Sequence, residues 1–174
     1  EIIATCTAAL YDDYLVIGVR PGSYRTMNRT DGTVVATFEL DNANAVRSSA
    51  VFAGGIAYTG CEEGRVYAFA VSDGSPMWDP RGTPVSNQPV SSSPASDGEF
   101  IYVASEDGYV HKLSRDNGEE VPTLTEDLGS ISYSSPTLYP PEEPQVALIG
   151  TDGQLGTDNY AYALATSDLH VAQS

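Results

Sequence analysis

The sequence predicts an all-β protein built of about four similar four-stranded antiparallel units, and three observations support this fold class. First, a serine pair recurs at Ser48-Ser49, Ser92-Ser93 and Ser134-Ser135, at spacings of 44 and 42 residues. Second, short apolar or alternating runs are separated by turn residues at intervals of about ten positions, which is typical of strands. Third, no segment has the capped amphipathic period of a helix, so almost no helix is expected.

The second and third units are the clearest copies of the repeat. GGIAYTGCEEGRVYAF, residues 54–69, lies over GEFIYVASEDGYVHKL, residues 98–113, at a constant shift of 44. The first unit is fainter, and DYLVIGVRPGSYRTM, residues 13–27, aligns at a shift of 42. The last unit carries roughly seven extra residues around QLGTDN. These alignments predict a single domain of four units, at about 1–46, 47–90, 91–132 and 133–174.

Turn chemistry inside the units favours hairpins. Asp97-Gly98, Asp107-Gly108, Asp73-Gly74 and Asn117-Gly118 provide the positive φ that a tight hairpin turn requires. Four-stranded units that repeat every 40 to 50 residues or so are typical of the blades of a β-propeller. A β-sandwich or a set of independent hairpins is the alternative, but neither explains why the serine pair, the tyrosine and the glycine turn recur together.

The units resemble the PQQ-like, or quinoprotein-type, β-propeller repeat. Residues 92–113 match its Ser-Ser-Pro start, its Tyr-Val strand and its Asp-Gly turn, and residues 64–78 end in the family's Gly-x-x-x-Trp pattern through Gly74 and Trp78. The resemblance implies that Gly74 and Trp78 belong to a motif that docks adjacent blades. The chain departs from that motif at the two other places where a tryptophan is expected, which are filled by Ala36 and Pro122.

Blade number raises the question of ring closure. The resemblance implies a complete ring of about seven or eight blades, so four would leave two open sheet edges that invite pairing. Three arrangements answer this: a fragment of a longer chain, two copies paired as half-rings, or a small four-blade ring. The sequence favours the fragment, because the first unit begins in mid-pattern and LHVAQS ends where an outer strand is expected.

Composition narrows the classes of partner. The chain has 24 acidic and 8 basic residues, a formal net charge of −16, which repels nucleic acid and anionic membrane surfaces. No apolar run is long enough to span a membrane. The charge predicts a solubilising surface, an adaptation to high salt or an acid-rich binding face. In the last case the turns at Glu62-Glu63, Glu106-Asp107 and Asp152 would form a rim facing a basic partner.

The sequence contains no catalytic constellation. GxSxG, HExxH and phosphate-loop motifs are absent, and no Ser, His and Asp have a usable spacing. Quinone-dependent enzymes of the resembling family carry a vicinal Cys-Cys pair and a tryptophan floor, whereas this chain has no Cys-Cys and assigns Trp78 to docking. His111 and His170 are interpreted as substituted strand residues. No catalytic residue and no cofactor are therefore predicted.

Three weaker site predictions remain. Cys6 and Cys61 lack metal spacing and are either a disulfide or two small buried hydrophobes. Asn28 begins the one N-glycosylation sequon. The insertion in the last unit offers oxygen ligands that would suit calcium, although it lacks the EF-hand spacing: Asp152, Asp158 and Asn159.

The function predicted is a non-catalytic propeller that serves as a protein–protein interaction module or as a structural subunit. Its expected partners are other proteins, further blades or a second copy of the chain. Two alternatives stay open, namely a fragment of a quinoprotein oxidoreductase and a carbohydrate- or calcium-binding propeller. The resemblance to the PQQ-like family implies an extracytoplasmic location, such as the periplasm, the cell surface or an organelle lumen.

Overall fold

The computed structural model describes residues 4–41, 46–123, 127–129, 134–139, 146–151, 160–167 and 169. The described chain is all-β, with fourteen strands in four antiparallel sheets and no helix. Hence no described segment is an apolar helix of membrane-spanning length.

The first two sheets are four-stranded meanders in which consecutive strands pair. Alternating apolar residues and tight turns produce this local pairing. The first sheet contains β1 (Ala9–Tyr11), β2 (Tyr14–Val19), β3 (Ser23–Asn28) and β4 (Val34–Glu39). The second contains β5 (Val51–Ala53), β6 (Ile56–Gly60), β7 (Arg65–Ala70) and β8 (Thr83–Pro84).

The third and fourth sheets have three strands each among the described residues. The third contains β9 (Ala95–Ser96), β10 (Phe100–Ala104) and β11 (Val110–Ser114), and the fourth contains β12 (Thr137–Tyr139), β13 (Val146–Gly150) and β14 (Ala161–Ala165). The outer strand expected in the third sheet is reduced to a bridge between Leu113 and Glu120. Pro122 follows closely and has no N–H to continue a ladder.

The sheets are arranged around an axis with their first strands innermost. Inner strand β5 lies beside β9, and β9 lies beside β12. Three apolar clusters fill the spaces between consecutive sheets: one centred on Phe38 and Phe69, one on Tyr58 and Ile101, and one on Tyr102 and Ile149. Burial of apolar surface between the sheets is thus the main force that holds the arc together.

This architecture confirms the predicted fold class, an all-β partial propeller. Each described sheet lies within one of the four predicted units, while the boundaries near 46, 90 and 132 remain predictions. The turn glycines have the left-handed backbone that their positions require, for example φ of +72° at Gly74 and +74° at Gly118.

Candidate interaction site

The first serine of each pair fastens the inner strand to the rest of its own sheet. The Oγ atoms of Ser48, Ser92 and Ser134 accept hydrogen bonds from the backbone N–H of Gly60, Ala104 and Gly150, at 3.0, 2.9 and 3.0 Å. In the first sheet Cys6 occupies this position, and its Sγ accepts the N–H of Gly18 at 3.3 Å. The recurring serine therefore satisfies a backbone donor that an irregular inner segment would otherwise leave unpaired.

The second serine of each pair connects neighbouring sheets near the axis. The backbone N–H of Ser49 donates to Oγ of Ser93 at 3.0 Å, and the N–H of Ser93 donates to Oγ of Ser135 at 2.9 Å. We call this run the serine ladder. It is directional, because every bond passes from the amide of one sheet to the hydroxyl of the next.

Trp78 contacts a glycine turn of the following sheet. Its indole Nε1 donates to the carbonyl of Arg115 at 2.9 Å, and a Cβ on Gly118 would lie 2.6 Å from the indole ring. Gly74 has the same relation to the preceding sheet, where a Cβ would lie 2.9 Å from the Thr37 carbonyl and 3.5 Å from the Ala36 side chain. The predicted docking residues thus lie at two different junctions rather than contacting each other.

Lys112 is a buried lysine that sequence reasoning did not single out. Its Nζ donates to the carbonyl of Thr166 at 2.7 Å and lies 4.0 Å from the ring centroid of Phe100. A carbonyl and an aromatic face replace part of the water that a buried ammonium loses. Because Thr166 follows β14, the side chain ties the third sheet to the fourth. The available signal was that Lys112 is the one lysine of the chain and lies between two apolar positions of its strand, Val110 and Leu113.

His111 has two acidic partners, although the sequence assigned it none. Its Nδ1 lies 2.7 Å from Oε1 of Glu120, and its Nε2 lies 3.2 Å from Oδ2 of Asp107. Burial lowers the pKa of His111, but the hydrogen bonds to the two carboxylates outweigh burial and raise it. Burial also acts to raise the pKa of Asp107, yet hydrogen bonds from His111 and others leave it lowered.

The acidic corners are partly neutralised within the chain. Glu62 forms an ion pair with Arg47, and Glu106 accepts a hydrogen bond from Ser91 at 2.8 Å. An open cleft of about 270 Å³ between the first two sheets is similarly self-paired, since Arg81 pairs with Asp79 at 2.9 Å. The cleft therefore presents no unbalanced set of charges, whereas Glu106 keeps its charge because a serine hydroxyl does not neutralise a carboxylate.

Both cysteines are free thiols that lie in or against the first apolar cluster. Burial raises the pKa of Cys6 and of Cys61, so both are protonated near neutral pH. This packing matches the alternative of two small hydrophobes.

Of the remaining predicted site residues, Asn28 lies within the described ranges and the others lie outside them. Asn28 Oδ1 accepts hydrogen bonds from the amide and hydroxyl of Thr30, which folds the sequon into an exposed turn. Asp152, Asp158, Asn159 and His170 lie outside the described residues. Among the residues the structure describes, no group of three His, Cys, Asp or Glu side chains is placed to hold a metal ion.

The two ends of the arc expose apolar sheet faces. On the last sheet, Tyr139 is 62% exposed and Leu148 is 43% exposed. On the first sheet, Leu10 is 55% exposed and Val34 is 45% exposed. We call the exposed face of the last sheet, with Tyr139 and Leu148, the trailing face. We call the exposed face of the first sheet, with Leu10 and Val34, the leading face. Exposed apolar patches on a soluble protein commonly mark interaction sites.

Comparisons with known proteins agree with this geometry. The sequence model of a family described as "outer membrane protein assembly factor BamB" matches residues 3–124. No curated protein sequence matches the chain. The fold and its sheet junctions define a partial β-propeller of PQQ-like repeats. Since the family match covers more than half of its length, the chain belongs to this BamB-like family.

Solved structures show the same fold. BamB from Moraxella catarrhalis is 17% identical with a TM-score of 0.65, over 96% of this chain and 52% of BamB. The computationally designed Ika8 protein is 14% identical with a TM-score of 0.73, over 99% of this chain and 48% of Ika8. The designed Ika4 protein is 13% identical with a TM-score of 0.70, over 92% of this chain and 91% of Ika4. The chain thus spans about half of BamB and of Ika8 and nearly all of Ika4.

Proposed function

We propose that the chain is a non-catalytic interaction module, a structural subunit whose end faces bind further propeller blades or another protein. The observation that carries this proposal is the exposure of the leading and trailing faces. The corresponding faces at the internal junctions are buried in apolar clusters. An arc with two uncovered apolar ends gains free energy when those ends are covered.

The family description supports the same role, since it names an assembly factor of outer membrane proteins. An extracytoplasmic location is part of the proposal for the same reason. The net charge of −16 argues against nucleic acid as the partner. The predicted calcium or carbohydrate role of the insertion at 151–159 remains a separate prediction.

The decisive experiment compares the mass of the chain with the mass of the particle it forms in its native source. Native mass spectrometry beside denaturing mass spectrometry would supply both values. We expect a particle heavier than the chain, because covering the end faces requires a partner. A native particle that contains one four-sheet chain and nothing else would overturn the proposal.

A second measurement tests the absence of catalysis. Equilibrium dialysis of the purified chain against pyrroloquinoline quinone, with and without calcium, should give no stoichiometric binding. Dye reduction with alcohols and aldose sugars should stay at the level of the buffer. Stoichiometric quinone binding together with turnover would establish the alternative of an oxidoreductase fragment.

A further inference from the structure

The leading face resembles one side of a sheet junction, and no sheet among the described residues packs against it. Met27 aligns with Phe69 and Leu113, which are 1% and 0% exposed because each packs against the sheet before it. Met27 itself is only half-buried. Register places Leu10, Leu15, Met27 and Val34 opposite one another across all four strands of the first sheet, so they form one continuous apolar row.

Gly32 of the first sheet also has open space at the position where the matching glycines of the later sheets have a close neighbour. Gly32 aligns with Gly74 and Gly118 and shares their backbone, with φ of +72°. A Cβ on Gly74 or on Gly118 would collide with the preceding sheet, whereas a Cβ on Gly32 would meet nothing within 4 Å. The sequence therefore keeps, in the first sheet, a turn shaped to receive the outer part of another sheet.

The trailing face is exposed at a position that is buried in the second and third sheets. Leu148 occupies the place of Tyr58 and Tyr102, because each of the three residues stands two positions before the residue whose N–H meets the first serine of its pair. Tyr58 and Tyr102 are completely buried against the sheets that follow them. Leu148 is 43% exposed, so no described sheet covers this face of the fourth sheet.

The serine ladder specifies the contact between the two ends. It ends at Ser135, whose amide has the place from which Ser49 and Ser93 donate to the next sheet. The residue of the first sheet that aligns with Ser49 is Thr7, at a shift of 42, and it carries a hydroxyl. Both Thr7 and Ser135 are exposed, as the two ends of an interrupted ladder would be.

Resting on the proposed function, we propose that the partner at these faces is a second copy of this chain. The trailing face of each copy covers the leading face of the other, and the Thr7 hydroxyl of one copy accepts the Ser135 amide of the other. Two chains of four sheets then close one ring, and the chain indeed spans 52% of BamB and 48% of Ika8. Two identical head-to-tail contacts related by a two-fold axis satisfy both ends at once.

Molar mass in solution tests this proposal. Sedimentation equilibrium of the purified chain across a wide dilution series should give twice the chain mass of 18.4 kDa. Leu148→Lys and Leu10→Lys, one on each face, should each give a monomer, because an ammonium would be buried without a partner. Met77→Lys is the matched control, since Met77 is 47% exposed but lies on neither end face, and it should leave the mass doubled.

Cross-linking identifies which ends meet. In a Cys6→Ser, Cys61→Ser background, Thr7→Cys combined with Ser135→Cys should oxidise to a disulfide between chains, seen as a dimer on a non-reducing gel. Each single cysteine variant should remain uncross-linked under the same conditions. A disulfide within one chain would show a closed four-sheet ring and overturn the proposal.

The outcomes separate this inference from the proposed function. A purified chain that is monomeric at every concentration overturns the second copy as the partner. If the native particle is still heavier than the chain, the interaction module stands and its partner is a different protein. If the native particle is also a single chain, both proposals fail.

Discussion

His111 provides the clearest pH-dependent contact at the scale of single residues. Hydrogen bonds to Asp107 and Glu120 raise the pKa of this histidine above its ordinary value of 6.5 despite burial. A raised folded-state pKa means that folding favours the protonated ring. The resulting stabilisation is complete below the ordinary pKa and is lost as pH rises through the folded-state pKa.

We therefore expect the free energy of unfolding to fall as pH rises from about 6 to about 8. Urea denaturation at a series of pH values measures this slope, and His111→Asn should remove the histidine's share of it. Glu120→Gln should reduce the slope in the same direction, because it removes one of the two carboxylates that raise the pKa of His111. A slope that His111→Asn leaves intact would contradict the assignment.

Single residues also show where sequence reasoning ends. The Ser-Ser repeat and the glycine turns were readable from period and residue type, whereas the docking place of Trp78 came from the family resemblance. The contacts of His111 with Glu120 and of Lys112 with Thr166 were not, because these partners lie in an outer segment and in a different sheet. No local pattern encodes which side chains two sheets bring together when they pack.

At the scale of structural elements, the junction between the second and third sheets depends on one indole against one glycine. Gly118→Ala would place a methyl group into the Trp78 ring and also strain a residue with φ of +74°. Gly129→Ala is the matched control, since φ is +78° there and nothing lies within 4 Å of the new Cβ.

We expect Gly118→Ala to cost about 1 to 3 kcal/mol more free energy of unfolding than Gly129→Ala. Denaturant titration of both variants measures this difference. In a Trp78→Ala background, which itself should cost about 3 kcal/mol or more, the extra cost of Gly118→Ala should shrink. It should not vanish, because the new Cβ would still lie 2.8 Å from Thr83 Oγ1. Additive effects in this double-mutant cycle would show that the ring and the glycine do not act as a pair.

The central strands of the second and third sheets were predicted better than the outer strands. Strong period-two alternation predicted β6, β7, β10 and β11, and the Asp107-Gly108 turn predicted the hairpin between β10 and β11. The outer strands were predicted less well. In the second sheet the outer segment is split between a bridge at Pro76 and β8, and Trp78 lies in the intervening loop, where its contact with the next sheet determines its position.

At the scale of the whole molecule, net charge opposes association. Each copy carries a formal charge of −16, so closing a ring from two copies brings like charges together. Salt screens this repulsion, because the Debye length falls from about 30 Å at 0.01 M to about 10 Å at 0.1 M ionic strength. Salt does not weaken the apolar contact between the two end faces.

We therefore expect the dissociation constant of the dimer to fall about threefold or more between about 0.05 M and about 0.5 M salt. Sedimentation velocity in NaCl and in KCl measures this change, and the two salts should act alike because screening is non-specific. Weaker association at high salt would instead indicate that ion pairs hold the copies together. Leu148→Lys should remain monomeric throughout.

The direction of the serine ladder has a consequence for how association ends. In the proposed ring each amide donates towards the next sheet, so the leading face of one copy meets the trailing face of another and copies add head to tail. Head-to-tail addition stops only if the curvature of the arc returns the last trailing face to the first leading face; otherwise it continues as an open filament. Small changes in the angle between sheets, such as those from a bulkier residue at Gly74 or Gly118, would thus convert a finite ring into a polymer.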